Sequence, residues 1–158
     1  MKTVAPPIAS SARARAVMQG NRRRDTLPEL RLRSELHRGG ARFRVDYPVR
    51  GRGRTIRVDI AFPRSRIAVF VDGCFWHGCG QHPKPSKSHA DYWGPKIAGN
   101  RRRDAAQDAD LTAAGWRVIR SWEHERAAVV ALRVREALQE ATSPAVDAGV
   151  AEAATLEP

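Results

Sequence analysis

The spacing of apolar residues divides the chain into short helices and strands joined by turns. Leu32 and Leu36 lie one helical turn apart and predict a helix over residues 26–37. Thr26 can cap this helix, and Glu29 follows it by three positions, as in a capping box. Two glycines then end the helix. The pattern therefore predicts one amphipathic helix ahead of the first strand.

Runs of β-branched and aromatic residues predict four strands, with two further helices among and after them. The strands are predicted at 43–47, 55–61, 67–71 and 116–121. The helices are predicted at 92–114 and 127–139. This order predicts an α/β fold of three layers, in which helices flank a central mixed β-sheet.

The length of 158 residues and the hydrophobic content of 42% suffice for one domain with its own core. We expect that domain over 11–140, with 11–24 as an arginine-rich arm. Residues 1–10 and 141–158 have the composition of disordered segments. No run approaches the ~18 apolar residues of a membrane span. We expect a cytoplasmic monomer without a signal peptide or membrane partner.

The charge balance changes this picture, because 28 lysines and arginines stand against 17 acidic residues, giving a net charge of +11. Arginine accounts for nearly all of the excess, in the arm and in the turn at 50–54. Its planar guanidinium suits phosphate oxygens. The composition predicts a nucleic-acid partner, with a generally basic soluble protein as the alternative.

The loop after the third predicted strand concentrates metal ligands. Cys74, Cys79 and His82 lie within nine residues, and His124 follows the last predicted strand. Two thiolates and two imidazoles close a tetrahedral zinc site, and a loop rich in Gly and Pro gains stability from such a metal. Two buried thiols with two surface histidines, or a local disulfide, remain alternatives.

Carboxylates and a histidine in the same region predict hydrolytic chemistry. If Ile56, Val58 and Ile60 face the core, Asp59 points to the opposite face, where its carboxylate could hold Mg²⁺ against a phosphate. A solvated aspartate paired with Arg57 is the alternative. Histidine is the residue type best suited to proton transfer near neutral pH, which makes His77 a candidate base. A zinc ligand, or a loop histidine with ordinary hydrogen bonds, is the alternative.

Two other groups of residues have both a functional and a structural interpretation. Asn100, Asp104 and Asp108 share one helix face, which in most proteins is a solvated charged surface. Phe75 and Trp76 fit a core, but apolar wedges of this kind also enter between base steps in DNA.

Several segments, in order and with matching spacing, resemble the very short patch repair endonucleases over about residues 11 to 135. They are Gly73–His77, Tyr92-Trp93, Asn100 with Arg103-Asp104, Gly115–Val118 and Trp122-Glu123, with Met18, Arg24–Thr26 and Glu29 upstream. The resemblance implies a fold similar to type II restriction endonucleases, a structural zinc and a catalytic Mg²⁺. It also implies nicking on the 5′ side of the thymine in a T:G mismatch, the product of 5-methylcytosine deamination.

The resemblance also assigns catalytic roles. Asp59 looks like the Mg²⁺ carboxylate, and Val71 lies where the family supplies a second ligand, here its main-chain carbonyl. His77 looks like the group that activates or positions water. Asp104 and Glu29 look like its supporting carboxylates.

The resemblance also implies which residues contact DNA. Asn100 matches a phosphate contact, whereas Phe75, Trp76 and Trp93 resemble aromatics wedged into the duplex from the major groove. Met18, on the arm, would enter from the opposite groove.

The chain departs from the family pattern at two places. Asp72 stands where the best-known pattern has a second catalytic histidine, and it could bind the metal or a metal-bound water. Cys79, His82 and His124 occupy or neighbour the family's zinc-ligand places, so that with Cys74 the site becomes two cysteines and two histidines.

Two rival functions stay open. One is a related nuclease that cuts matched or otherwise damaged DNA. The other is a zinc-stabilised DNA-binding module without catalysis, which would have no need of Asp59, His77, Asp104 and Glu29. The resemblance leaves contacts with mismatch-repair proteins open.

Overall fold

A computed structural model describes residues 24–82 and 90–142 of the chain. The elements in order are α1 (Leu27–Arg38), β1 (Arg44–Arg50), β2 (Thr55–Phe62), β3 (Ile67–Asp72), α2 (Cys74–His77), α3 (Ala90–Ala113), β4 (Arg117–Trp122) and α4 (Ala127–Thr142). Met18, the arm as far as residue 23, the segment 1–10 and the tail from residue 143 lie outside the described residues. Among those described, no helix is long and apolar enough to cross a membrane.

The four strands form one mixed sheet in the order β1-β2-β3-β4. β1 pairs with β2 and β2 with β3 in antiparallel fashion, as short connections require. β3 and β4 are parallel, because α3 carries the chain back across the sheet before β4 begins. The carboxyl ends of β3 and β4 therefore lie side by side, at the pair Asp72–Trp122.

Helices cover both faces of this sheet, which confirms the predicted α/β arrangement. Leu32 and Leu36 of α1 pack with Val130 and Val134 of α4 against one face. Leu111 of α3 packs against the other face. The strand β3 is buried on both sides along nearly its whole length, as its unbroken apolar run indicates.

The elements differ from their predictions mainly at their ends. The segment after Gly73, predicted as a turn, contains the one-turn helix α2, and α4 continues to Thr142, two residues into the predicted tail. The cap of α1 also differs. The Thr26 hydroxyl donates to Glu29 Oε1 instead of accepting a backbone N–H, while Glu29 Oε2 accepts the N–H of Asp25.

The strand β2 does not keep one face to the core, so the expected alternation around Asp59 is wrong. Val58 packs in the cluster beneath α3, whereas Ile60, two residues later, packs in the cluster beneath α1 and α4. Residues two apart on a regular strand share a face. β2 therefore rotates between them, at Asp59, while the opposing Asp46 of β1 adopts φ 49°.

The core between α1 and α4 gives a stability prediction. Leu36 is fully buried, so Leu36→Ala should lower the free energy of unfolding by about 2–5 kcal/mol through lost apolar burial and a residual cavity. Leu30 on the same helix is 47% exposed, and Leu30→Ala should change the free energy of unfolding by less than about 0.5 kcal/mol. Urea denaturation measures both. Equal losses would contradict this packing.

Candidate active site and metal centre

A cleft of about 910 Å³ opens beside β2, the carboxyl end of β3 and the facing surface of α3. Most of the predicted catalytic residues line it. They are Glu29, Asp59, Val71, Asp72, His77 and Asp104, together with Trp76 of the predicted DNA contacts. The fold thus brings together side chains that are up to 75 positions apart in the sequence, between Glu29 and Asp104.

Asp59 lies where β2 and β3 separate. Their ladder ends at the pair Ile60–Val69, and beyond it the N–H of Val71 donates to Asp59 Oδ2 at 2.9 Å. Burial raises the pKa of Asp59 to about 6, and the carboxylates of Glu29 and Asp72 act in the same direction against the Val71 hydrogen bond. This partly buried acid among other acids is a position that favours a cation.

His77 is held by Asp104. Its Nδ1 lies 2.6 Å from Asp104 Oδ2 and 3.5 Å from Asp72 Oδ1. An ionised carboxylate can only accept a hydrogen bond, so Nδ1 donates and the lone pair of Nε2 remains available. The arrangement orients His77 as a base at the wall of the cleft.

The charges around Asp72 include a residue that the sequence analysis did not single out. Arg120 of β4 donates from Nη1 to both oxygens of Asp72, at 2.9 and 2.8 Å. Its Nε and Nη2 donate to Asp108. The available signal was a second arginine, besides Arg117, within the predicted strand 116–121, since a charged side chain on a strand beside the core is seldom without a partner.

The stripe Asn100, Asp104 and Asp108 is not a solvated surface. The Asn100 amide donates to the Trp76 carbonyl at 2.8 Å and accepts from Arg103. Asp104 bonds to His77 and Asp108 to Arg120. The interpretation of this helix face as a solvated charged surface is therefore wrong. With its amide engaged inside the protein and 7% exposed, Asn100 supports α2, and its phosphate contact stays a prediction.

Glu29 lies in the same cleft but on the side of Asp59. It is 3% exposed, and its oxygens accept from Arg33, Thr26 and the N–H of Asp25. It forms its contacts within the first turns of α1 and not with His77, so its support of the histidine stays a prediction.

Three predicted wedge residues form an aromatic cluster. Phe75 lies 5.0 Å from Trp76 and 5.1 Å from Trp93 between ring centroids, with edge-to-face geometry. Tyr92 adds a fourth ring beside Trp93 at 4.9 Å. All four are half-buried. Because α2 carries both Trp76 and His77, the aromatic cluster directly adjoins the cleft.

The four predicted zinc ligands converge. The ligand atoms of Cys74, Cys79, His82 and His124 all lie within 4.8 Å of one another. Bonds of about 2.3 Å to sulfur and 2.0 Å to nitrogen place tetrahedral ligand atoms about 3.6 Å apart. The separations from His124 Nδ1 to the two sulfurs are 3.0 and 3.8 Å, and that from Cys79 Sγ to His82 Nδ1 is 4.0 Å, so the observed distances lie on either side of that spacing. Both cysteines are free thiols, so a disulfide is not formed.

The surroundings of this cluster also suit a cation. His124 Nε2 lies 3.2 Å from Gln81 Oε1, which can only accept, so Nδ1 turns its lone pair toward the sulfurs. Burial, with Cys79 and Glu123 beside it, raises the pKa of Cys74 to about 11. A bound cation would instead favour the thiolate form that metal ligation requires.

Comparison with known proteins identifies the family. A family model described as DNA mismatch endonuclease Vsr matches residues 8–82. The type II nicking enzyme V.XorIIP of Xanthomonas oryzae pv. oryzae is 44% identical over 133 residues, covering 80% of this chain and 90% of that enzyme. The chain belongs to the Vsr family. It is an endonuclease, and the resemblance found in its sequence is confirmed.

Other relatives in this Vsr family agree. The type II nicking enzyme V.NaeI of Lentzea aerocolonigenes is 48% identical over 109 residues, 68% of this chain and 66% of that enzyme. The DNA mismatch endonuclease Vsr of Escherichia coli K12 is 37% identical over 118 residues, 73% of this chain and 68% of that enzyme. The chain thus matches slightly less than two thirds of the length of V.NaeI.

The raised pKa of Asp59 predicts a pH-dependent stability. A carboxyl whose folded pKa is about 6 favours folding when protonated, and this contribution is lost as pH rises from about 4 through 6. Asp59→Asn keeps an acceptor for Val71 and avoids the buried charge. Without added Mg²⁺ it should match the wild type at pH 4 and exceed its unfolding free energy by about 2 kcal/mol at pH 7.5.

Denaturation of both proteins at several pH values measures this difference. A constant difference between pH 4 and 7.5 would show that Asp59 titrates alike in the folded and unfolded states.

Proposed function

We propose that this Vsr-family enzyme is a Mg²⁺-dependent, strand-specific endonuclease that nicks DNA 5′ to the thymine of a T:G mismatch. The observation that carries the proposal is one cleft in which Asp59 and the His77–Asp104 pair lie next to the aromatic cluster. Two relatives named as nicking enzymes and one named as a mismatch endonuclease support it.

DNA binding begins with electrostatic attraction between arginines and the phosphate backbone. Arginines of the arm and of the turn at 50–54 bind phosphates, which makes affinity fall with salt. Phe75, Trp76 and Trp93 then enter the stack, and a mismatched step costs less to unstack than a matched one. The contact of Met18 from the other groove belongs to the same proposal. A DNA substrate of this kind implies action on the bacterial chromosome in the cytoplasm.

The proposed chemistry uses Asp59 with the Val71 carbonyl on one side of the cleft and the His77–Asp104 pair on the other. Asp59 and the Val71 carbonyl would hold Mg²⁺, whose role is to polarise the phosphate and stabilise its developing charge. His77 Nε2 accepts a proton from the attacking water, while Asp104 fixes the ring through Nδ1. The water oxygen bonds to phosphorus as the bond to O3′ breaks, and O3′ takes a proton from solvent, which leaves a 3′-hydroxyl and a 5′-phosphate.

Asp59→Ala tests this assignment. We expect single-turnover nicking of a T:G duplex to fall by about 10³-fold or more, because several kcal/mol of charge stabilisation is lost. DNA binding, which depends on arginines and aromatics, should be retained. Glu136→Ala, at an exposed position of α4 outside the cleft, removes the same charge and should nick like the wild type.

The same assay separates the rival functions. Cutting confined to the thymine strand of the mismatched duplex, with Mg²⁺ present, supports the proposal. Equal cutting of a matched duplex would favour the general nuclease. Tight binding without cutting would favour a DNA-binding module, and loss of binding in folded Asp59→Ala would contradict the metal role.

We also propose that Cys74, Cys79, His82 and His124 bind a structural zinc. Their ligand atoms all lie within 4.8 Å of one another, and a metal there would join α2 and the loop after it to the residues that follow β4. Cys74 and His124 are 50 positions apart in the sequence, so the metal would cross-link distant parts of the chain.

Cys79→Ser should therefore reduce zinc from about one ion per chain to well below that, and lower the melting temperature. Metal analysis of the purified protein and a thermal melt measure both. His37→Asn removes a histidine outside the cluster and should keep the zinc. A wild-type protein that is fully folded without zinc would refute this role.

A further inference from the structure

Arg120, at the wall of the cleft, donates five hydrogen bonds to two carboxylates and uses all three of its guanidinium nitrogens. Its guanidinium lies over the Phe70 ring, 4.7 Å from the centroid, between the carboxylates of Asp72 and Asp108. Nη2 also reaches the Asp104 carbonyl at 3.4 Å. Burial opposes the charge, but the two carboxylates raise the pKa of Arg120 above its ordinary value.

These contacts do not suit an arginine that binds a DNA phosphate. Nε, Nη1 and Nη2 all donate to protein acceptors, and the side chain is only 23% exposed. A phosphate would have to displace a carboxylate that is itself 6% exposed. Arg120 therefore acts within the protein, through the groups that it holds.

The group it holds most closely is Asp72. Asp72 directly follows Val71, whose N–H binds Asp59, and both aspartates line the cleft. A second carboxylate at this place would add a ligand and a charge to any cation beside Asp59. Arg120 engages both Asp72 oxygens, so neither is directed to a cation.

We infer that Arg120 is a positioning residue that withholds Asp72 from the metal position beside Asp59 and fixes α3 against β4. The second effect follows from its bonds to Asp108 and to the Asp104 carbonyl, since Asp104 in turn orients His77. The inference rests on the proposed function, and it makes Asp72 a structural partner of Arg120 and not a metal ligand.

Binding of Mn²⁺ to the zinc-loaded enzyme without DNA, followed by electron paramagnetic resonance, tests the inference apart from activity. Arg120→Gln should bind Mn²⁺ at least about fivefold more tightly, because Asp72 becomes available as a ligand. Asp72→Asn should leave Mn²⁺ affinity unchanged. The double variant D72N/R120Q should return it to the wild-type value.

Nicking supplies the second measurement. Arg120→Gln should nick about 10²-fold more slowly, because Asp104 and His77 shift, while its affinity for DNA stays within about twofold. Arg117→Gln is the matched control, since Arg117 lies on the same strand and pairs with Glu140 away from the cleft. It should match the wild type in both measurements.

Weaker Mn²⁺ binding by Asp72→Asn would overturn the inference, because Asp72 would then be a ligand in the wild type. Unchanged Mn²⁺ affinity in folded Arg120→Gln would overturn it as well. If Arg120→Gln fails to fold, the Mn²⁺ affinity of Asp72→Asn alone decides whether Asp72 is a metal ligand in the wild type. A wild type that binds Mn²⁺ as expected but does not nick T:G duplexes would refute the proposed function and leave this result standing.

Discussion

The ion pairs of Arg120 with Asp72 and Asp108 are the interaction on which the cleft depends. The carboxyl ends of β3 and β4 bring several carboxylates together where the sheet meets α3. A buried carboxylate is tolerated only when it is paired or hydrogen-bonded. Arg120 satisfies two of these acids at once and ties β4 to α3. Without it, the helix that presents Asp104 would face an uncompensated negative end of the sheet.

The one-turn helix α2 carries Trp76 of the proposed DNA contacts beside His77, the proposed base, and it depends for its stability on contacts around it. A helix of four residues is unstable alone, because it gains too few hydrogen bonds for its nucleation cost. Glu123 accepts the N–H of Cys74, and Asn100 bonds to the Trp76 carbonyl. Gly78, with φ 65°, closes its carboxyl end. A proposed zinc at Cys74 would hold the same turn, so that aromatic rings and His77 move as one unit.

Sequence patterns predicted the layers and most of the element cores, because apolar periodicity reports burial directly. They did not predict the rotation of β2 at Asp59, since Ile56, Val58 and Ile60 read as one face in any regular strand. They also favoured a solvated surface for Asp104 and Asp108. A charged helix face is solvated unless groups that can pair with it pack against it. Only in the folded chain does His77 lie against Asp104 and Arg120 against Asp108.

The rotation of β2 explains how Asp59 can be partly buried and still present its carboxylate to the cleft. A regular strand would place it either in a core or in solvent. The rotation places it instead at the gap where β2 leaves β3, beside the Val71 N–H. Burial and nearby acids raise its pKa to about 6, so near neutral pH a divalent cation competes with a proton for the same carboxylate. The proposed Mg²⁺ site, with this carboxylate and the Val71 carbonyl as its protein ligands, would leave coordination positions for water and phosphate, which are the ligands that hydrolysis requires.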